Sequence, residues 1–106
     1  MRRVIYCHCS FARVLPPDVK AQVLEGLAAS GRAFDAVPDL CEMAARKDPA
    51  LVQIARGDVT IAACYPRAVR WLFSAASAPL DPERATILNM RTDSAEAVLN
   101  AVERGE

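Results

Sequence analysis

The chain has 106 residues, 53% of them apolar, and its 13 basic and 13 acidic residues cancel to a net charge of zero. This length fits a single domain, 1–106, and the balanced charge gives no electrostatic case for nucleic acid or an anionic membrane surface. No segment approaches the roughly 20 apolar residues that cross a bilayer, and the apolar run after Met1-Arg2-Arg3 is too short for a signal peptide, so we expect a cytoplasmic protein without membrane insertion.

The first third of the chain predicts a strand, a helix and a second strand. A β-branched run over residues 3–7 indicates the first strand. Residues 16–18, Pro-Pro-Asp, predict a helix start, because proline suits the first helical position and an acid suits the first turn. Gly31 predicts a left-handed cap at the end of this helix, and residues 33–37 the second strand. The residues expected on the inner face of the helix are Val19, Val23, Leu24, Leu27 and Ala28.

The middle of the chain predicts a broken helix and then a buried strand. Cys41 begins or just precedes this second helix. Asp48-Pro49 is typical of a fresh helix start, with a capping side chain before proline, and Gly57 ends the helical pattern. Residues 58–63 form the clearest strand, of the apolar kind that is covered on both faces. After the break, the expected inner face is Ala50, Leu51, Ile54 and Ala55.

The last third predicts a third helix, a fourth strand and a final helix. Pro66 starts the third helix and residues 85–90 form the fourth strand. Asp93 with Glu96 resembles a capping box for the last helix. The residues expected to face inward are Val69, Leu72 and Phe73 in the third helix and Ala95, Val98, Leu99 and Val102 in the last, whereas Trp71 lies off this stripe.

The alternation of strands and helices predicts an α/β fold. We expect a single-domain three-layer sandwich, with helices on both faces of a four-stranded, mostly parallel sheet. The strand order we predict is 2-1-3-4, as in a shortened flavodoxin-like fold. In that order the chain reverses direction between strands 1 and 3, which opens a crevice at their carboxyl ends.

All four cysteines lie at or just after the end of a predicted strand: Cys7 and Cys9 at the first, Cys41 after the second and Cys64 after the third. If the strands are parallel, these thiols lie along one edge of the sheet. Four thiolates select zinc or an iron–sulfur cluster, although one C-x-C pair is not the usual zinc pattern of two C-x-x-C pairs. The residues alone leave open an iron–sulfur site, a zinc site, metal-free thiol redox chemistry, and a core that simply contains cysteines.

The surroundings of the cysteines would suit an anionic cluster. The third helix begins directly after Cys64, so its N-terminal amides point toward this edge. His8 lies between the first two cysteines, Arg67 in the first turn of the third helix, and Arg91 after the fourth strand. Each could donate a hydrogen bond or place a positive charge near sulfur, and groups of this kind tune reduction potentials. Their ordinary roles, as a loop residue and solvated charges, remain the alternative.

Four segments, in order, resemble the N-terminal domain of the heterodisulfide reductase A subunit, an iron–sulfur flavoprotein family. They are Tyr6-Cys7-His8-Cys9-Ser10, Leu40-Cys41-Glu42, Ala62-Ala63-Cys64-Tyr65-Pro66-Arg67 with Phe73, and Leu88-Asn89-Met90-Arg91. The resemblance implies one [4Fe-4S] cluster held by Cys7, Cys9, Cys41 and Cys64, and a role as one relay in an electron-transfer chain. Ser10, Glu42 and Tyr65 depart from the glycine and serines of that pattern.

The chain looks like a component rather than a complete enzyme. No G-x-G-x-x-G occurs among its four glycines, so it does not bind a flavin in the manner of the larger flavoprotein. Its one histidine has no nucleophile–base signature around it. We therefore expect an iron–sulfur module that docks on a larger redox protein or flavoprotein subunit. A metal-free thiol sensor or a protein-interaction domain is the alternative, and the sequence leaves homo-oligomer formation open.

Overall fold

Four parallel strands form one sheet in the computed structural model, which describes residues 3–9 and 15–104, and from edge to edge they are the second, first, third and fourth strands of the chain. The α/β class and the predicted strand order 2-1-3-4 are confirmed. The strands are β1 (Arg3–Cys7), β2 (Asp35–Val37), β3 (Val59–Ala63) and β4 (Ala85–Asn89), and the helices are α1 (Pro17–Ala29), α2 (Leu40–Ala45), α3 (Ala50–Ala55), α4 (Pro66–Ala75) and α5 (Ala95–Arg104).

The helices cover the two faces of the sheet in separate pairs. α1 packs against α5, and α2 packs against α4. Successive side chains of a strand point to opposite faces, and β1 contacts one helix of each pair. The hydroxyl of Tyr6 donates to the carbonyl of Lys20 in α1 at 3.3 Å, while Sγ of the next residue, Cys7, accepts from the backbone N–H of Leu40 in α2 at 3.4 Å. Right-handed crossovers in this strand order produce this division.

The core lies on both sides of β3, whose five residues are all buried. Ile61 in β3 is fully buried, and so are Phe73 from α4 and Leu27 from α1. A strand covered on both faces reads as a continuous apolar run, which is why β3 was the clearest strand in the sequence. Thr60 is the exception, because its buried hydroxyl has no hydrogen-bond partner among the described residues.

Proline, glycine and aspartate set the helix limits at the predicted places. Pro17 occupies the first turn of α1, and Gly31 after this helix has a φ of 75° that favours glycine. The predicted break within the second helix is confirmed, because α2 ends at Ala45 and α3 begins at Ala50. The new start lies one residue later than predicted: Pro49 is the N-cap of α3, and Asp48 Oδ1 accepts from the N–H of Ala50 at 2.9 Å. No helix in residues 3–9 and 15–104 is long and apolar enough to span a bilayer.

Some local predictions were wrong. Ser94, not Asp93, caps α5, since its Oγ accepts from the N–H of Ala97 at 3.1 Å. β2 begins at Asp35 rather than at residue 33, and the Asp35 carboxylate pairs with the side chain of Arg3 at 3.0 Å on the exposed edge. Two small residues expected on inner helix faces are exposed, namely Ala28 and Ala50.

Candidate thiol site at the carboxyl edge of the sheet

The four cysteines come to the carboxyl edge of the sheet from three separate segments. Cys7 is the last residue of β1 and Cys9 follows two residues later; Cys64 directly follows β3, and Cys41 is the second residue of α2. Cys7 and Cys9 are buried, Cys64 is half-buried and Cys41 is exposed. The edge therefore has two thiols inside the core and two that open toward solvent.

The thiols are near enough to influence one another electrostatically. Burial raises the pKa of Cys41, and the charges of Asp39, Cys64 and Cys9 raise it further. Burial likewise raises the pKa of Cys64, and Cys9 adds to this effect. Cys7 has its pKa raised to about 12, chiefly by burial and in smaller part by Cys9 and Asp39. Cys9 thus interacts with each of the other three thiols.

Backbone N–H groups point at two of the sulfur atoms. Sγ of Cys7 accepts from the N–H of Leu40 at 3.4 Å, and the N–H of Cys9 acts on the same sulfur in the same direction. The N–H of Tyr65 donates to Sγ of Cys64. These donors favour the thiolate and oppose the effect of burial on the pKa of both cysteines.

Cys9 adopts a left-handed backbone conformation, with a φ of 56°. A residue with a Cβ atom pays about 1 kcal/mol or more for this conformation, which glycine adopts freely. Cys9 is only 3% exposed in this conformation. Ser10, where the family pattern has glycine, lies outside the described residues.

Asp39 is a residue of the site whose place directly before the second helix predicts only a capping role. Its capping role is confirmed, because Oδ1 accepts from the N–H of Glu42 at 3.2 Å. Its side chain is also 1% exposed, receives a hydrogen bond from the Cys41 thiol, and raises the pKa of both Cys41 and Cys7. An aspartate directly before a cysteine at a helix start was the available signal.

The imidazole of His8 lies with Tyr6, on the side of the sheet that α1 covers. Nδ1 of His8 is 3.0 Å from the hydroxyl of Tyr6, and the two rings are tilted at 52° with centroids 5.9 Å apart. The carbonyl of His8 accepts from Nζ of Lys20 at 2.8 Å. The Cys7–Cys9 loop is therefore tied to α1 through His8, whereas Cys7 Sγ contacts α2 on the opposite face.

The two arginines predicted near the cysteines differ in their relation to sulfur. Arg91 lowers the pKa of Cys64 by its charge, and its guanidinium carbon lies 4.7 Å from the centre of the Tyr65 ring. Arg67 lies in the first turn of α4, where it lines a shallow surface depression with Tyr65 and Trp71. Arg91 thus reaches both Cys64 and the aromatic surface beside it.

No group of three or more His, Cys, Asp or Glu side chains within the described ranges is arranged to hold a metal ion. Comparison of the chain with models of known families, with curated proteins and with solved structures finds no match. The candidate site consists of four cysteine sulfur atoms, the N–H groups directed at two of them, the buried carboxylate of Asp39 and the guanidinium of Arg91.

Proposed function

We propose that this chain is an iron–sulfur electron-transfer module in which Cys7, Cys9, Cys41 and Cys64 hold one [4Fe-4S] cluster. The observation that carries the proposal is the convergence of the four cysteines on the carboxyl edge of the sheet, from the end of β1, the start of α2 and the residue after β3. Four cysteine thiolates are the usual ligand set of such clusters, which accept and release single electrons. The resemblance to the heterodisulfide reductase A domain supports the same ligand set.

The polar groups around the thiols fit an anionic cluster better than a single ion. Hydrogen bonds from N–H groups to cluster sulfurs help to set the reduction potential, and Leu40 and Tyr65 already donate to Cys7 and Cys64. Each thiolate of a four-iron cluster binds a different iron, so its ligands stand further apart than those around one ion. Thiols that influence one another without forming the close-set group of a mononuclear site are compatible with this wider spacing.

Burial argues against the alternative of a metal-free redox thiol. A reactive cysteine needs a lowered pKa, which a helix N-terminus or a nearby cation supplies. Cys64 has both neighbours, the start of α4 and Arg91, and yet burial raises its pKa. Cys41 and Cys7 shift in the same direction. A bound metal can replace these protons, because a coordinating thiol is deprotonated outright.

Iron analysis under strict exclusion of air tests the proposal. The chain is produced and purified anaerobically with iron and sulfide, since exposed clusters are lost in air. We expect about four irons and about four inorganic sulfides per chain, a brown colour, and an electron paramagnetic resonance signal of a single cluster after reduction with dithionite. Zinc in place of iron would support a zinc-stabilised domain, and a colourless, metal-free chain would refute the proposal.

Variants then assign the ligands. Cys7→Ser, Cys9→Ser, Cys41→Ser and Cys64→Ser are each expected to lower the iron content severalfold, because a hydroxyl is a much poorer ligand for this cluster. Ala45→Ser is the matched control, since it places a serine on the exposed surface of the same helix as Cys41 and leaves the thiols intact. Retention of full iron content in any of the four cysteine variants would remove that residue from the ligand set.

A further inference from the structure

A pair of exposed aromatic side chains lies beside the thiol site. Trp71 is 70% exposed and Tyr65 is 42% exposed, although large apolar side chains are normally covered in a domain of this kind. Both line one depression of about 650 Å³ on the first turns of α4. We call it the Tyr65–Trp71 surface, and its residues are Tyr65, Pro66, Arg67, Ala68, Trp71 and Leu72. Exposed clusters of this kind mark interaction surfaces, and Trp, Tyr and Arg are the residues that dominate binding energies there.

Two arginines lie at this surface although the whole chain is neutral. Arg67 lines the depression, and the guanidinium carbon of Arg91 lies 4.7 Å from the centre of the Tyr65 ring. The segment 64–80, which includes α4, contains no acidic residue. An apolar centre with a cationic rim complements an acidic face that carries an apolar contact at its centre.

The surface borders the thiol site directly. Tyr65 follows Cys64 in the chain and donates its N–H to that sulfur, and Arg91 acts on both Cys64 and the Tyr65 ring. A molecule bound on the Tyr65–Trp71 surface would therefore sit next to the half-buried cysteine of the site. A second copy of this chain fits poorly there, because a two-fold contact through this surface would bring Arg67 and Arg91 of both copies into one interface.

We propose that the Tyr65–Trp71 surface docks the acidic face of a partner redox protein. That the partner is a redox protein rests on the proposed function, whereas its acidic charge follows from the surface itself. The small area of the depression fits a weak, transient encounter of the kind that electron carriers make. Such an encounter is steered by opposite charges and weakens as salt rises.

The single tryptophan of the chain provides a reporter for this docking. Trp71 is the only tryptophan, so incorporation of 5-fluorotryptophan gives one fluorine resonance located on the surface. Two unlabelled acidic carriers, a flavodoxin and a plant-type ferredoxin, are titrated against the iron-loaded chain. We expect either carrier to shift the resonance in a saturable way, and a rise in NaCl from about 20 to about 300 mM to weaken binding about tenfold.

Two charge reversals on opposite edges of the molecule locate the contact. Arg67→Glu is expected to weaken binding about tenfold or more, because it places like charges in apposition. Arg56→Glu is the matched control: Arg56 is exposed at the end of α3, at the amino end of the sheet, and its reversal should leave binding unchanged. Trp71→Ala, followed by calorimetry, should weaken binding about tenfold or more through loss of the aromatic anchor.

Other occupants give different results. The proposal is overturned if neither acidic carrier shifts the resonance, if Arg67→Glu binds as well as the parent chain, or if the resonance moves with protein concentration alone, which indicates a second copy. A larger response to a short single-stranded oligonucleotide would equally overturn it. Iron content is measured on the same samples. If the chain holds no iron but still binds acidic carriers, the docking surface is supported and the electron-transfer function is refuted. If the chain holds iron but binds neither carrier, the docking surface is refuted and the iron–sulfur site is supported.

Discussion

Asp39 combines a structural role with an electrostatic one, and two substitutions separate them. Asp39→Ala removes the oxygen that accepts from the N–H of Glu42 at 3.2 Å. Loss of an N-cap costs about 1 kcal/mol, which for a domain of this size lowers Tm by about 4 °C or more. Asp39→Asn keeps a capping oxygen, so its free energy of unfolding should stay within about 0.5 kcal/mol of the parent value. The two variants therefore differ in stability although both lose the charge.

The rate at which Cys41 is alkylated reports the charge of Asp39. Asp39 raises the pKa of the Cys41 thiol, so at fixed pH both variants should expose more thiolate and be alkylated faster in the metal-free chain. Cys41 is exposed, so the reagent reaches it without unfolding. Asp48→Asn is the matched control, because the Asp48 carboxylate also accepts a backbone N–H at a helix start, that of Ala50 at 2.9 Å, but it precedes α3 and not the helix that carries Cys41. Equal alkylation rates in Asp39→Asn and the parent chain, measured by mass spectrometry together with Tm, would refute this reasoning.

The remaining predictions concern stability of the metal-free chain. Burial raises the pKa of Cys7 from 9.0 to about 12, so its contribution to the free energy of unfolding is full below pH 9 and is lost as pH rises toward 12. In Cys7→Ala the free energy of unfolding should therefore fall less steeply between pH 9.5 and 11, by about 1 kcal/mol per pH unit. An unchanged slope in urea titrations would contradict this. Cys9→Gly should be about 1 kcal/mol more stable than Cys9→Ala, because glycine adopts a φ of 56° without strain; equal stabilities would mean that the turn is not strained. A Cβ on Gly26 would overlap the Leu99 side chain, so Gly26→Ala should destabilise the parent chain by about 1 kcal/mol. In a Leu99→Ala background the overlap is gone, and the same substitution should stabilise the chain by about 0.5 kcal/mol or more, because alanine favours a helix over glycine. A change in stability of the same sign in both backgrounds would contradict the overlap.

The fold could be predicted because its signals are local and mutually consistent. Buried parallel strands leave continuous apolar runs, and proline, aspartate and glycine mark helix limits, as at Pro17, Asp48 and Gly31. Once strands alternate with helices, right-handed crossovers leave few strand orders. One error lies where two neighbouring residues compete for one role: Asp93 and Ser94 are both good caps, and only the path of the chain decides between them.

The candidate site was predictable in outline and not in detail. The positions of Cys7, Cys9 and Cys64 after strands were enough to place them on one edge of a parallel sheet. The burial of Asp39 and the stacking of Arg91 on Tyr65 depend on packing between segments that are distant in sequence. Sequence patterns report which face of an element is apolar, but they do not report which side chain of one loop reaches another loop.

The same burial that disfavours free thiolates at these cysteines favours the proposed role as metal ligands. An apolar environment disfavours a free thiolate, and the raised pKa of Cys7 and of Cys64 shows that the N–H groups directed at these two sulfur atoms offset this effect only in part. A soft cation bound to the sulfur atoms would stabilise the thiolates with a positive charge that the surrounding protein supplies only in part. Metal binding must then release thiol protons, so the proposed site should load iron more readily as pH rises within the range where the chain stays folded. Proton release on anaerobic loading, measured in weakly buffered solution, should accordingly fall when any one of the four cysteines is replaced by serine, and unchanged release would contradict their role as ligands.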